Sequence, residues 1–262
     1  MSAPMPTTRR PVLVTRPAGR ADALVNLLEE QGLVVEHRPL VRLTLEDSSE
    51  LTAACGHLAA GAYTHLVITS RTAVEALLAA LPPGAPRLDV PATTRVLAVG
   101  AGTAEALSAA GAPADLVAAG SGAALVEAMP PADGETAVLF PASAAASPTV
   151  PEGLAAKGYR LDRVTAYRPE LLPLPAATAT ALRSGGHAAI VLTSPMIARA
   201  AAGTGVHAST AVVTIGTPTE EAARTAGLLT TVQADEPTDE ALVRAVLTAL
   251  DSPHPCVPRS SP

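Results

Sequence analysis

Two segments of the chain have nearly the same sequence although they lie 116 positions apart. Residues 96–111 read VLAVGAGTAEALSAAG and residues 212–227 read VVTIGTPTEEAARTAG, with seven of the sixteen positions identical. Each segment is a short aliphatic run that ends in glycine and continues into an alanine-rich stretch, a pattern that predicts a β-strand followed by a helix. A chain that repeats such a unit is constrained to a fold with two related parts.

The repeat continues on both sides of these segments. Upstream lie HLVITSRTAVEALLAA (65–80) and AIVLTSPMIARAAAG (189–203), and each is a predicted strand that ends in Thr-Ser before a helix. Downstream lie GSGAALVEAM (120–129) and EPTDEALVRAV (236–246), and each is a polar cap before a helix that contains Ala-Leu-Val. Three matching units in the same order predict two related domains, the first of which covers about residues 45–165.

Strands and helices alternate from residue 11 to about residue 250. Parallel strands need helical crossovers, so this alternation predicts parallel α/β architecture. The predicted strands cover residues 11–15, 34–40, 65–70, 95–100, 136–141, 161–167, 188–194 and 211–216.

The amino-terminal strand-helix-strand, residues 11–38, cannot bury its apolar face alone. The second copy lacks an equivalent number of strands, so we expect these residues to complete its sheet. The fold class is therefore predicted as α/β with two similar parallel-sheet, flavodoxin-like domains, of which one is discontinuous. The discontinuous domain comprises residues 1–40 and 168–262, and residues 41–167 form the inserted domain.

The chain must cross between the two predicted domains twice. The crossings fall near residues 37–43 and 164–170, and each contains a proline that cannot continue a helix. We expect them to run side by side as a two-stranded linker. Residues 1–9 and 251–262 are rich in Pro and Ser without periodicity, which predicts disordered ends.

Composition narrows the choice of partners. The formal net charge is −6 and aromatic residues make up 2% of the chain, so the positive charge and the stacking platforms of nucleic-acid-binding proteins are missing. No apolar run approaches the roughly 20 residues of a membrane span. Cys55 and Cys256 lie 201 positions apart, a spacing that indicates neither a disulfide framework nor a metal site. We expect a cytoplasmic monomer that binds neither nucleic acid nor membranes.

Several catalytic motifs are missing from the sequence. GAGTAE (100–105) has Glu105 where a dinucleotide-binding loop needs its third glycine. The six histidines show no HExxH spacing, and no Gly-x-Ser-x-Gly segment occurs. Lys157 is the single lysine, and we interpret it as a solvated cation at a helix end rather than as a Schiff-base former. The sequence predicts no metal site, and a nucleotide-dependent transferase or dehydrogenase lacks its phosphate-binding motif.

Small polar residues follow most of the predicted strands. In open parallel sheets the ligand lies beyond the carboxyl ends of the strands, where helix amino termini favour carboxylate or phosphate groups. Each Ser or Thr could instead be a simple helix cap, but five such strand ends favour a multi-point anion site. The candidate binding residues are Arg16, Thr69, Ser70, Arg71, Gly100, Thr103, Thr193, Ser194, Gly216, Thr217 and Thr219.

Taken in order, these segments resemble the uroporphyrinogen-III synthase family. The resemblance covers residues 11 to about 248, and the ordered set of blocks is more specific than any single block. The blocks are VLVTR, LVITSRTAVEAL, LAVGAGTAEAL, DRVTAYRPE, IVLTSP, TIGTPTEEAA and EPTDEALVRAV.

This resemblance implies a cofactor-free lyase of tetrapyrrole biosynthesis, the source of heme, siroheme and cobalamin. Such an enzyme cyclises hydroxymethylbilane, a linear tetrapyrrole polycarboxylate, to uroporphyrinogen III with inversion of ring D and loss of water. It also implies two lobes that face each other across a cleft.

Tyr167 matches the tyrosine of the family's Val-x-x-Tyr element, which is proposed to donate a proton to the leaving hydroxyl. A phenol stays protonated at neutral pH and can do so. A packing residue beside the linker is the other interpretation of Tyr167. The resemblance also places seven residues at substrate-lining loops: Ser70, Arg71, Thr103, Ser121, Ser194, Thr217 and Thr219.

The loop ASAAASPTVPEG (142–153) departs from the family, which has a basic, glycine-containing stretch there. Arginines elsewhere could compensate for the missing positive charge: Arg16, Arg20, Arg38, Arg71 and Arg168. A non-catalytic, two-lobed sensor of small anions is the alternative function. It explains the duplication and the polar strand ends, but it gives no reason for Tyr167 or for the order of the blocks.

Overall fold

The computed structural model describes residues 10–251. Its strands are β1 (Val12–Val14), β2 (Val35–His37), β3 (Val41–Leu45), β4 (His65–Ile68), β5 (Arg95–Val99), β6 (Leu116–Ala118), β7 (Ala137–Ser143), β8 (Arg160–Leu171), β9 (Ala189–Leu192), β10 (Ala211–Thr214) and β11 (Val232–Gln233). Its helices are α1 (Asp22–Glu30), α2 (Ser49–Ala59), α3 (Arg71–Ala79), α4 (Ala101–Ala109), α5 (Gly122–Ala128), α6 (Thr149–Ala156), α7 (Ala176–Arg183), α8 (Pro195–Thr204), α9 (Thr217–Thr225) and α10 (Asp239–Asp251).

The chain divides into two compact units. The described residues up to Arg42, together with those from Glu170 onward, form the discontinuous unit, and Leu43–Pro169 form the inserted unit. The discontinuous unit has a five-stranded sheet in the order β11-β10-β9-β1-β2, and the inserted unit has a six-stranded sheet in the order β3-β8-β7-β4-β5-β6. The expected fold class, two α/β domains built on parallel sheets, is confirmed.

All eight predicted strands overlap an observed strand, and three observed strands were not predicted. Two of these, β6 and β11, are edge strands of three and two residues, too short to show a period. Helix α10 extends to Asp251, which was expected to be the first residue of the disordered end. The remaining residues of both predicted disordered ends lie outside the described part of the chain. No helix in that part is both long and apolar enough to cross a bilayer.

The two sheets contain the same arrangement of strands, but the chain begins this arrangement at a different strand in each unit. The strand order β11-β10-β9-β1-β2 can be aligned with β6-β5-β4-β7-β8. This alignment matches the elements of the sequence repeat, β10 with β5 and β9 with β4. The amino-terminal β1-α1-β2 then takes the place that β7-α6-β8 occupies in the inserted unit. The repeat is therefore circularly permuted, which explains why the beginning of the chain completes the sheet of its second half.

Strands β3 and β8 carry the chain between the units and are neighbours in one sheet. Backbone hydrogen bonds from Leu172 to Leu40 and from Glu46 to Ala166 run in the register of an antiparallel pair. Cross-strand ion pairs join Arg42 to Glu170 and Arg168 to Glu46.

The core of the inserted unit lies on both faces of its sheet. Within β4, Leu66 and Ile68 pack into one cluster with α2 and α3, while Val67 joins Phe140 in a second cluster with α5 and α6. Alternate residues of a strand point to opposite faces, so a strand covered on both sides reads as a continuous apolar run. This is why HLVI predicted a buried strand from sequence.

Helices α5 and α6 pack so closely that a glycine is required between them. A Cβ at Gly153 would lie 2.6 Å from Cγ1 of Val126. Beside this contact, Lys157 Nζ donates to the carbonyl oxygens of Val126 (2.6 Å) and Met129 at the end of α5. The interpretation of Lys157 as a solvated cation was wrong, because its ammonium satisfies carbonyls that the helix end leaves unpaired.

We expect Gly153→Ala to lower the free energy of unfolding by about 1 kcal/mol or more, because the new methyl group overpacks the α5–α6 contact. Gly56→Ala is the matched control, since Gly56 is also inside a helix but a Cβ there meets nothing within 4 Å. That control should gain about 0.5–1 kcal/mol from helix propensity. Urea unfolding midpoints test the pair, and equal shifts in the two variants would contradict the packing argument.

Glu36 connects β2 to α7 and to the residues before β9. Its carboxylate accepts hydrogen bonds from Thr178 Oγ1 (2.7 Å) and His187 Nε2 (2.8 Å) and lies 3.3 Å from Nε of Arg38. Burial by itself raises the pKa of Glu36, but the two hydrogen bonds and the nearby positive charge outweigh it, so the net pKa lies below the usual 4.5. The ionised carboxylate therefore stabilises the folded state.

A carboxyl whose native pKa is lowered contributes stability above its unfolded pKa and loses it as pH falls through the native value. Wild-type stability should therefore fall as pH drops below 4.5, and Glu36→Gln should weaken this dependence. Urea unfolding at a series of pH values between about 6 and 3 measures it, with the exposed Glu30→Gln as control. A wild-type pH profile retained in Glu36→Gln would show that this carboxyl does not carry the effect.

Candidate functional site

The order of strands singles out one place on the sheet of the discontinuous unit. Strand β2 lies on one side of β1, and β9, β10 and β11 extend the sheet on the other side of β1. The winding direction of the chain therefore switches between β1 and β9. Ligands of open parallel sheets bind at such a switch point, beyond the carboxyl ends of the strands. The residues that follow β1 and β9 there are Thr15-Arg16 and Thr193-Ser194.

Arg16 is held firmly at this switch point. Its Nη1 donates to Asp239 Oδ1 at the start of α10 (2.6 Å) and to the Arg20 carbonyl (3.2 Å). Nε2 of His37 lies 2.8 Å from the Arg16 carbonyl oxygen. The side chain of Arg16 is 13% exposed, and its Nε and Nη2 have no hydrogen-bond partner among the residues that the structure describes.

The serine after β9 begins helix α8. Ser194 Oγ accepts a hydrogen bond from the Ile197 N–H (3.3 Å), as an N-cap does. Its neighbour Thr193 is half-buried. Thr15, at the equivalent point of β1, is fully buried and donates to the Val191 carbonyl (2.8 Å), so it ties the two strands together rather than facing a ligand.

The start of α9 has no side-chain cap. Gly216 is the N-cap, and its backbone is extended, with φ of 169°. Thr217 Oγ1 accepts a hydrogen bond from Gln233 Nε2 (3.4 Å). Thr219 is 2% exposed and Thr103, its equivalent in the other unit, is 6% exposed. Both side chains therefore pack within their units.

In the inserted unit the winding direction switches between β7 and β4. Thr69 there is half-buried, and Ser70 Oγ caps α3 by accepting from the Ala73 N–H (3.2 Å). Arg71 is exposed, and its side chain lies over the start of α4, where a Cβ on Gly102 would be 3.7 Å from its Nε. An exposed guanidinium thus stands beside a helix amino terminus.

Two further predicted residues stand at helix starts of the inserted unit. Gly100 is the N-cap of α4 with φ of 77°, in the left-handed region that favours glycine, and its helix has no side-chain cap. Ser121 caps α5 by accepting from the Ala124 N–H (3.1 Å).

The capping serines have one hydrogen-bonding function left. Ser70, Ser121 and Ser194 each use the hydroxyl oxygen to accept from a backbone N–H, whereas a hydroxyl also has one proton to donate. That proton can be offered to a carboxylate while the cap stays intact. The interpretations as helix cap and as anion-binding residue are therefore compatible for these three side chains.

Tyr167 lies at the carboxyl edge of the inserted unit's sheet. It pairs with Ser143, the last residue of β7, immediately after a β-bulge that shifts the register between Ala142 and Ser143. Bulges re-aim the side chains beside them and are frequent next to active sites. The ring is half-buried against the core, and the hydroxyl has no hydrogen-bond partner within residues 10–251.

Sequence reasoning missed Asp239 and His37, the two residues that hold Arg16. Asp239 lies 223 positions after Arg16, and no local pattern could connect them. The one signal was the Thr-Asp-Glu stretch at the start of α10, which predicts the beginning of a helix. Within the described residues no group of three or more His, Cys, Asp or Glu side chains could hold a metal ion.

The fold and these strand edges define a protein of two permuted α/β units, each with helix starts and an arginine at its switch point. A family model described as uroporphyrinogen-III synthase HemD matches residues 22–244. The chain belongs to the uroporphyrinogen-III synthase family. A comparison with curated protein sequences gave no match.

Two solved structures illustrate the similarity of fold. A mutant uroporphyrinogen III synthase from Thermus thermophilus is 22% identical with a TM-score of 0.60, and the match covers 91% of this chain and 98% of that one. The uroporphyrinogen-III synthetase from Helicobacter pylori is 17% identical with a TM-score of 0.63, over 91% of this chain and 99% of that one. Nothing in the family match or in these two structures favours the sensor interpretation.

Two substitutions of Ser194 separate its functions. Ser194→Ala removes the cap of α8 and should lower the free energy of unfolding by about 1 kcal/mol. Ser194→Asp keeps an acceptor for the Ile197 N–H and adds a negative charge at the positive helix end, so its stability should stay within about 0.5 kcal/mol of wild type. Urea unfolding measures both, and an Ala variant as stable as the Asp variant would show that the cap contributes nothing.

Proposed function

We propose that this chain is a cofactor-independent lyase that cyclises hydroxymethylbilane to uroporphyrinogen III, with inversion of ring D and loss of one water. The proposed reaction is supported by membership of the family, and the proposed catalytic group by the position of Tyr167. We further propose a cytoplasmic, monomeric enzyme of tetrapyrrole biosynthesis, in keeping with Cys55, a buried free thiol.

Substrate carboxylates are bound, in this proposal, by hydrogen-bond donors at the carboxyl edges of the two sheets. Hydroxyl protons of the capping serines Ser70, Ser121 and Ser194 are available, as are N–H groups at the uncapped starts of α4 and α9. Arg16 and Arg71 supply the positive charge. Helix amino termini and arginine forks both favour carboxylates. Of the other predicted binding residues, Thr193, Gly216 and Thr217 contribute backbone donors, and Thr69, Thr103 and Thr219 support the edge from within. Gly100 contributes its left-handed backbone at the start of α4, because its own N–H donates to the Ala118 carbonyl (2.9 Å).

Tyr167 is proposed to donate its phenolic proton to the hydroxyl that leaves ring A. The C–O bond breaks and water departs, and the resulting electrophilic carbon is attacked by the substituted carbon of ring D. Refragmentation and closure invert that ring, and the proton released at closure restores the tyrosine. The Tyr167 hydroxyl has no competing acceptor among the described residues, so its proton is available for such a donation.

Most of the rate enhancement in this proposal comes from orientation. The free carbon of ring D is the less hindered nucleophile and gives isomer I without an enzyme. A protein that fixes several carboxylates can hold the substituted carbon nearer the electrophile, and such positioning contributes several kcal/mol in general.

Hydroxymethylbilane supplied to the purified chain should yield uroporphyrinogen III, with the isomers resolved by chromatography after oxidation to porphyrins. Isomer III arises only when ring D is inverted on the protein. Product that consists of isomer I alone, at the rate of a buffer control, would contradict the proposed activity.

Tyr167→Phe tests the proton donor separately. The ring and its packing remain, so stability should be unchanged, whereas kcat should fall by about a hundredfold, the lower end of general-acid contributions. Tyr159→Phe is the matched control, since Tyr159 is a tyrosine of the same unit whose hydroxyl donates to the Pro130 carbonyl (3.1 Å) away from this edge. Isomer III formed by Tyr167→Phe at the wild-type rate would leave the enzyme assignment intact and remove this role.

A further inference from the structure

The two units can be compared position by position because they share one arrangement of strands. Val12 of β1 pairs with Ala189, and Val138 of β7 pairs with His65. The sequence repeat aligns Ala189 with His65, so β1 and β7 are in register. Arg16, four residues after Val12, therefore corresponds to the buried Ala142 in the inserted unit.

The partner of Arg16 also has an equivalent in the other unit. Thr238 caps α10 through the Ala241 N–H (3.2 Å), as Ser121 caps α5 through the Ala124 N–H. Asp239, the residue after Thr238, corresponds to Gly122. A Cβ at Gly122 would lie 2.6 Å from Cγ2 of Val150, so the inserted unit has no space for a side chain there.

The ion pair between Arg16 and Asp239 is thus present at one switch point, while the equivalent point of the other unit is filled by apolar packing. Its two side chains are 13% and 24% exposed, and removing two charges from water costs free energy that is offset only by close contact and further hydrogen bonds. Asp239 Oδ1 engages Nη1. The edge formed by Nε and Nη2 is left without a described partner, and a guanidinium edge binds a carboxylate with two parallel hydrogen bonds.

We propose that Asp239 is a positioning residue for substrate binding: it holds the Arg16 guanidinium at the switch point between β1 and β9 so that the free edge receives one substrate carboxylate. This inference rests on the proposed function. Asp239 orders the arginine during folding, so that less conformational entropy is lost when the substrate binds. The discontinuous unit thereby provides a fixed charged contact that the inserted unit lacks.

Asp239→Asn keeps the size of the side chain but removes the charge that fixes Arg16. With hydroxymethylbilane as the varied substrate, KM should rise about tenfold, the scale of one charge-assisted hydrogen bond, while kcat stays close to wild type. Glu240→Gln is the matched control. Glu240 is exposed, and its substitution removes the same charge from the first turn of α10 as Asp239→Asn does. It should leave KM unchanged.

A double-mutant cycle shows whether Asp239 acts through Arg16. Arg16→Gln should raise KM at least as much as Asp239→Asn, and adding Asp239→Asn to Arg16→Gln should have no further effect. Additive effects in the cycle, or equal KM values for Asp239→Asn and Glu240→Gln, would overturn the inference.

Arg16→Lys provides a second test that does not depend on the stability of the Asp239 variant. Lysine can pair with Asp239 but has no planar fork for a carboxylate, so KM should rise while the unfolding midpoint is retained. A wild-type KM in Arg16→Lys would overturn the inference. If the wild-type chain forms only isomer I, the proposed function fails as well, whereas failure of the inference alone leaves isomer III as the product.

Discussion

Parallel pairing of strands is the constraint on which the rest of the structure depends. Two adjacent parallel strands cannot be joined by a tight turn, so a helix returns the chain across the sheet each time. All carboxyl ends of such strands then lie at one edge, and every helix that follows begins there. Small polar residues follow several strands at these edges, where the helix starts leave backbone N–H groups unpaired. The candidate binding residues therefore lie at two short edges of backbone and side chains, one in each unit.

The circular permutation shows how far two copies of one arrangement can diverge. Both sheets retain the strand order, the apolar faces and the serine or threonine caps, since these are required for packing and for satisfying helix ends. The switch points do not retain their residues. One has Arg16, Asp239 and His37, and the other has Ala142, Gly122 and a close contact between α5 and α6. The positions free of folding constraints are those that could acquire a ligand-binding function.

Helix caps account for much of the ambiguity in interpreting such a protein. A serine at an N-cap contributes to stability through its oxygen and can contribute to binding through its proton. Ser70 and Ser194 illustrate this, because the oxygen of each hydroxyl accepts a hydrogen bond from a backbone N–H while its proton remains available for donation. Stability and binding must therefore be measured with different substitutions at the same position.

Local pattern by itself determined the duplication, the strands long enough to show an apolar run, the fold class and the family. These follow from periodicity and from the order of motifs, which are properties of neighbouring residues. It also predicted the capping serines, because a cap depends on the helix next to it, and the order of motifs made Tyr167 a candidate. Tertiary structure alone decided that Thr103 and Thr219 are buried, that Lys157 closes the end of α5, and that Arg16 is fixed by Asp239. Each of these depends on which distant segments meet, and the energy of a contact across 223 positions leaves no trace in the local sequence on either side.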